Sequence, residues 1–275
     1  MGTAISATAA ATTADWTTSA PISFDLALPA GGSLYFAVLG VGATYPSDPP
    51  SASDSQGNDF GDSYPVLELK VPHGDAPTFE PYAWAFYADA VVGGADTVTV
   101  DLGSGAPEGG AVAAAFAISG TEDPSGDTTS SPYAIGNGSG SATPASTGSF
   151  AVAAAGELVL VFLMSADVTG ASAPVDSFSG SPLAVTSYRH VSNHGLTDDD
   201  GWLDLLAGTA VTSGTSGQVL TGSSTTSASG QWGIFALPLL GAAAPSSAPS
   251  GMRRPISPYG YGPGDAVGYA PRRVA

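Results

Sequence analysis

The chain of 275 residues contains no cysteine, which excludes disulfides, thiolate-held metals and a thiol nucleophile together. Its stability must come from burial and backbone pairing. Charged residues make up only 11% of the sequence, too few for amphipathic helices that turn a charged face to water. Helical bundles are therefore set aside. The longest strongly apolar run, Leu158 to Met164, is far shorter than the roughly 20 residues a helix needs to cross a bilayer. No membrane-spanning helix is expected. Met1-Gly2-Thr3-Ala4-Ile5 lacks the basic start and long apolar stretch of a secretory signal, so a surface location is expected to involve another route of export or a signal already removed.

Basic residues are also scarce, and they are unevenly placed. Of six, Arg253, Arg254, Arg272 and Arg273 fall in the last 23 residues, leaving only Lys70 and Arg189 before them. Residues 1 to 252 hold 23 of the 24 acids, which gives that stretch a formal charge of −21 against +3 for the end. A body so acidic repels nucleic acid and anionic membrane. Neither is expected as a partner.

Glycine (37) and proline (22) are abundant, and the apolar segments between them alternate with period two or form short continuous runs. Strands are expected at Ile22 to Leu28, Ser33 to Val41, Val66 to Val71, Tyr82 to Ala88, Thr97 to Leu102 and Ala111 to Ser119. Six more follow at Phe150 to Ala154, Glu157 to Met164, Leu183 to His190, Leu203 to Val211, Gln218 to Thr221 and Gln231 to Leu239. The fold class is therefore all-β, an antiparallel β-sandwich of jelly-roll-like or immunoglobulin-like kind.

A faint duplication runs through these strands. Gly32-Ser33-Leu34-Tyr35-Phe36-Ala37-Val38-Leu39 is echoed by Gly156-Glu157-Leu158-Val159-Leu160-Val161-Phe162-Leu163, and the stretch from Trp84 to Ile118 parallels that from Trp202 to Leu237. Ser33 to Val41 and Glu157 to Met164 are apolar on both alternating faces, so each is expected to be covered on both sides. Two such units in tandem fit either the halves of one large sandwich or a pair of small ones; the division expected is an N-terminal arm or edge strand over 1–14, one sandwich domain over 15–241 and a tail over 242–275. The tail, rich in Pro, Gly, Tyr and Arg, cannot bury enough apolar surface to order itself, and is expected to be disordered or extended. Arg253, Arg254, Tyr259, Tyr261, Tyr269, Arg272 and Arg273 are its candidate partner-binding residues, since Tyr and Arg commonly anchor interfaces.

Sites for chemistry are sparse. Asp54-Ser55-Gln56-Gly57-Asn58-Asp59 loosely echoes a calcium loop but lacks its distal bidentate Glu, and the same residues suit a tight turn. His190 through Gly201 gathers two His with Asp198, Asp199 and Asp200. Those three carboxylates are the candidate metal ligands, for a structural calcium, against the simpler reading of a solvated loop that discourages edge pairing. No other cofactor is expected. Gly136-Asn137-Gly138-Ser139-Gly140 comes near the Gly-x-Ser-x-Gly of a nucleophile elbow, yet it reads as a Gly/Ser-rich loop with no helix after it. A glycosidase would need two suitably spaced carboxylates, and no pair stands out among 24 acids. Of Trp16, Trp84, Trp202 and Trp232, the first is the best candidate for an exposed ring and the others for core. The chain is not expected to be an enzyme.

The succession Ser53-Asp54-Ser55-Gln56-Gly57-Asn58, Tyr82-Ala83-Trp84-Ala85-Phe86-Tyr87, Asp96-Thr97-Val98-Thr99-Val100 and Ala115-Phe116-Ala117-Ile118-Ser119-Gly120 resembles β-sandwich proteins encoded by tailed phages and bacterial surface loci. Those proteins carry an Asp-Ser-x-Gly-Asn-x-aromatic turn, here interrupted by Asp59 before Phe60. The resemblance spans residues 15 to 240 and implies a structural role in a virion or surface assembly: capsid decoration, or association with a tail or fibre. Its implied partners are further copies of the chain or other virion subunits, and its implied location is the virion or the extracellular surface. Two alternatives remain open, a carbohydrate- or receptor-binding module with surface glycan as partner and a glycoside hydrolase on a lectin-like fold.

Overall fold

Two nearly continuously apolar strands, Ser33–Gly42 and Leu158–Asp167, organise the molecule. In the computed structural model, which describes residues 4–16, 21–42, 50–60, 64–68, 80–88, 90–101, 109–119, 134–139, 142–152, 155–167, 176–178, 183–194, 202–226 and 230–239, these strands lie near the middle of two five-stranded sheets. The first eight strands are β1 (Ala4–Trp16), β2 (Ile22–Leu28), β3 (Ser33–Gly42), β4 (Ser51–Asp54), β5 (Tyr64–Glu68), β6 (Glu80–Ala88), β7 (Gly94–Asp101) and β8 (Gly109–Ser119). The second eight are β9 (Ala134–Ser139), β10 (Ala142–Ser146), β11 (Leu158–Asp167), β12 (Ser177–Phe178), β13 (Val185–His194), β14 (Trp202–Val211), β15 (Thr221–Ser224) and β16 (Gln231–Leu239).

The first set forms a five-stranded sheet in the order β1-β8-β3-β6-β5 and a three-stranded sheet β2-β7-β4; the second forms β13-β14-β11-β16-β9 and β10-β15-β12. Counted within each set, both orders are 1-8-3-6-5 and 2-7-4. Every pairing is antiparallel. First pairs with eighth, second with seventh and third with sixth, the pattern of a long hairpin rolled up on itself, so each unit is a jelly roll. An immunoglobulin-like sandwich would distribute its strands differently between the sheets. The segments that echo one another in sequence occupy matching places: β3 and β11 are the third strands, Trp84 and Trp202 lie on the sixth, and β8 and β16 are the eighth.

The five-stranded sheets pack on each other, and each carries its three-stranded sheet on the opposite face. Residues 15 to 241 thus contain four layers where the sequence suggested the two of a single sandwich. The N-terminal strand is an edge strand, and it runs on to Trp16.

Strand β8 shows how one sequence serves two cores. Its Val112, Ala114, Phe116 and Ile118 enter the central layer between the units, while Ala111, Ala113, Ala115 and Ala117 face the first unit's own interior. The alanine face leaves room for bulk from elsewhere, and Phe36 fills it, stacked on Phe86 at 4.7 Å and met edge-on by Phe24 and Phe60. Strand β11 alternates likewise, sending Leu160, Phe162, Met164 and Ala166 to the central layer and Val159, Val161 and Leu163 to the second unit's interior. Across the central layer Phe116 meets Phe162 edge to face at 5.6 Å, and Phe162 stacks on Phe235 at 4.8 Å. Arg189 Nη2 donates to the Thr8 carbonyl at 2.9 Å, tying β13 to β1 at the rim.

The Ala-Thr repeats of β1 offer little hydropathy contrast, so the sequence marked it as an arm or edge strand without fixing its end. It is held by pairing along β8, alanine against alanine from Ala9 and Ala115 to Ala11 and Ala113. Short strands β4, β10 and β12 lacked contrast as well. Phe150 makes an isolated bridge to Gln218, so the strands expected at those two positions shrink to a bridge, with β15 beginning at Thr221. At Gly208 in β14, an added Cβ would come within 2.8 Å of the Phe178 ring and of the Thr186 carbonyl oxygen, which explains the small residue there.

Replacing Phe116 or Phe162 by alanine removes a ring from the layer shared by both units. Each change is expected to cost about 3–5 kcal/mol in chemical denaturation. The double variant should lose less than the sum, because the two rings are in contact. Additive losses would show that the central layer does not couple the units.

Candidate functional site

The turn after β4 is the most fully connected polar feature of the first unit. Asp54 Oδ1 accepts from the backbone N–H of Gln56 at 3.1 Å and of Asn58 at 2.9 Å, and Asp54 Oδ2 accepts from Asn58 Nδ2 at 2.6 Å. Gly57 takes a φ of +77°, a conformation that suits glycine. Asn58 Oδ1 in turn accepts from Val92 N–H at 2.7 Å, fastening the turn to the loop before β7. Phe60 then enters the first unit's core against Phe36. Asp59 is exposed, so its insertion between Asn58 and Phe60 leaves the plug in place. The motif is a turn that latches a ring into the core, with its carboxylate occupied by donors in place of a cation.

Asp96, on β7, completes the latch. Its Oδ1 accepts from both the backbone N–H and the hydroxyl of Ser55, at 3.0 and 2.7 Å. Burial pushes the Asp96 carboxyl upward; Ser55 pulls it back, while hydrogen bonding to Asp54 and the Asp54 charge raise it further, and the net displacement is up. Burial also acts to raise Asp54, but the side chain and backbone of Asn58 outweigh it and hold Asp54 below its ordinary value. The environments split the two carboxyls, one kept ionised and one inclined to keep its proton.

A second pair lies inside the second unit. Asp204 on β14 is completely buried and Asp176, just before β12, is 5% exposed. Asp204 pairs in register with Ser165 of β11, and the Ser165 hydroxyl donates to both carboxyl oxygens of Asp176 at 3.1 Å. Burial first, then the adjacent Asp204, drives the Asp176 carboxyl well above the usual range, with the hydroxyls of Ser224 and Ser165 opposing. This pair escaped the sequence reading. Its signal was a single acid in the apolar run Trp202-Leu203-Asp204-Leu205-Leu206-Ala207, on a strand buried on both faces.

In each pair the neighbouring carboxylate adds to the upward push of burial, Asp54 on Asp96 and Asp204 on Asp176.

The other expected residues divide between described and undescribed parts of the chain. Asp198, Asp199 and Asp200 lie outside the described residues, as do Arg253, Arg254, Tyr259, Tyr261, Tyr269, Arg272 and Arg273. His190 and His194 both sit on β13, opposite Leu206 and Trp202. Their backbone positions lie about 13 Å apart along the extended strand. Among the described residues no group of three or more His, Asp or Glu is arranged to hold a metal. The Gly136-to-Ser139 stretch is part of strand β9, paired with Gln231 to Ile234 of β16; this corrects the loop expected there, and a strand supplies no elbow. Trp84 and Trp232 are core residues and Trp202 is half-buried. The side chain of Trp16 lies outside the description.

Comparison with family models, with curated proteins and with solved structures returns no match.

A carboxyl whose folded pKa is raised makes the folded state bind more protons than the unfolded one as pH rises past the unfolded value, so stability falls with rising pH. For Asp176 the loss begins above the unfolded value near 3.8. Asp176→Asn should therefore stabilise the protein at pH 7 by on the order of 1 kcal/mol, with the gain vanishing toward pH 4. Denaturation curves of both proteins across that range measure it, and a constant difference would count against the buried pair. Asp54→Ala, which strips the turn of its acceptor, is expected to lose about 1 kcal/mol or more, read as a fall in the denaturation midpoint.

Proposed function

We propose that the chain is a non-catalytic structural protein of a virion or surface assembly, of the capsid-decorating, tail-associated or fibre-associated kind, and that its basic C-terminal segment docks on a neighbouring subunit. The observation that carries this reading is the tandem jelly roll itself. Two units of one strand order are fused through a shared apolar layer, and each five-stranded sheet is spent on packing on both faces. A jelly roll is used by capsid and lectin domains alike, so the fold alone does not choose between them. Charge favours assembly: a body of formal charge −21 and an end of +3 are complementary between copies.

A carbohydrate- or receptor-binding module is the second reading. It needs exposed aromatic platforms, and the burial of Trp84 and Trp232 withdraws two candidates from it.

Light scattering on the full chain and on a chain ending at Gly241, at low and high salt, tests the proposal. Association should require the C-terminal segment and weaken as salt screens its charges. Monomers for both chains at every salt concentration would end the self-assembly reading.

A further inference from the structure

A groove of about 430 Å³ opens where the seam between the two units reaches the surface. Ile5 at the start of β1, Leu158 at the start of β11, Thr186 and Tyr188 on β13, and Val211 at the end of β14 line it. Its volume lies within the about 300–1,000 Å³ typical of pockets that accept a small ligand. Three large apolar side chains stand out as exposed among the described residues, and two of them, Tyr188 at 40% and Val211 at 60%, are in this groove. The Tyr188 ring meets Phe116 edge-on at 5.9 Å, so the groove floor continues into the central layer.

Strand β16 ends at the same place. Leu239, the last residue of β16, pairs with Leu158, and 36 residues follow it. Those residues carry Ile256, Tyr259, Tyr261 and Tyr269 among four arginines, the anchors that a half-apolar groove on an acidic body would accept. We infer that the groove receives the Tyr/Arg segment around Tyr259 from a second copy of the chain.

Two observations support the second copy. Nineteen residues of mostly Ala, Pro, Ser and Gly separate Leu239 from Tyr259, a spacer spanning about 25 Å as a flexible coil and about 60 Å when extended. That reach is enough to bridge to a groove on a neighbouring copy. Copies of net charge −18 also repel one another, and a positive segment kept at home offers a neighbour nothing, whereas one handed across supplies the attraction. The inference rests on the assembly reading and names its contact.

The absence of cysteine makes disulfide mapping clean. Full-length chains carrying Val211→Cys are mixed with full-length chains carrying Tyr259→Cys and oxidised, with Val92→Cys, at a comparably exposed position (54%), as the control partner. Tyr188→Cys provides a second groove position should Val211→Cys fold poorly. Mixed dimers linked through either groove position should exceed the control by about tenfold or more, as expected for a docked segment with raised local concentration. Equal linking to groove and control would overturn the inference. So would a double variant, Val211→Cys with Tyr259→Cys, that closes on itself as a monomer when dilute. If light scattering shows association that needs the C-terminal segment while groove linking stays at control level, the groove assignment fails and the assembly reading stands. If the chains neither associate nor link, both fail.

Discussion

The contact on which the molecule depends is the face-to-face packing of two five-stranded sheets, centred on Phe116, Phe162 and Phe235. A sheet with one face in water can alternate polar and apolar residues; a sheet buried on both faces cannot. Once the two units press together, β3, β8, β11, β14 and β16 must be apolar at nearly every position, and polar residues are displaced to the outer sheets and the turns. The regular alternation of β2, buried and exposed by turns, belongs to such an outer sheet. Among the described residues, the strands of the five-stranded sheets carry few charges for the same reason.

Within that constraint, side-chain size sets how the layers fit. The alanine face of β8 opposes the phenylalanine cluster of the first unit, and its larger face meets Phe162 across the centre. Ala is a poor strand former by intrinsic preference, yet β1 and β8 run alanine beside alanine because pairing and burial outweigh that preference. Buried acids are tolerated in this setting only as partners of one another and of hydroxyls. The Asp176 and Asp204 pair sits where β11 gives way from Leu163 to Ser165, at the polar end of an otherwise apolar face.

Function in this frame belongs to surfaces and edges. Asp176 and Asp204 are internal, the Asp54 turn spends its acceptors on donors of its own turn, and two of the tryptophans are core. The reading of an assembly protein therefore leans on the fused architecture, on opposite charges at the two ends of the chain's layout, and on an apolar groove beside the end of β16.

Much of this was legible from residues alone. Period-two alternation and continuous apolar runs marked nearly all the long strands, and the ends of β16 were read to the residue, since Gln231 and Leu239 bound a run flanked by glycine and a change of composition. Double coverage of β3 and β11 followed from their lack of polar positions. The Asp54 turn was readable because its hydrogen bonds are local. The tertiary structure alone decided what each face covers: alternation tells that two faces differ, or that neither is wet, but it does not name the partner sheet. For that reason the sequence admitted one sandwich or two, and only the packing of Phe116 on Phe162 joined two jelly rolls into four layers. The pairing of Asp176 with Asp204 was hidden likewise, because residues 28 apart in the chain meet only when β14 and the segment before β12 are brought together by the fold.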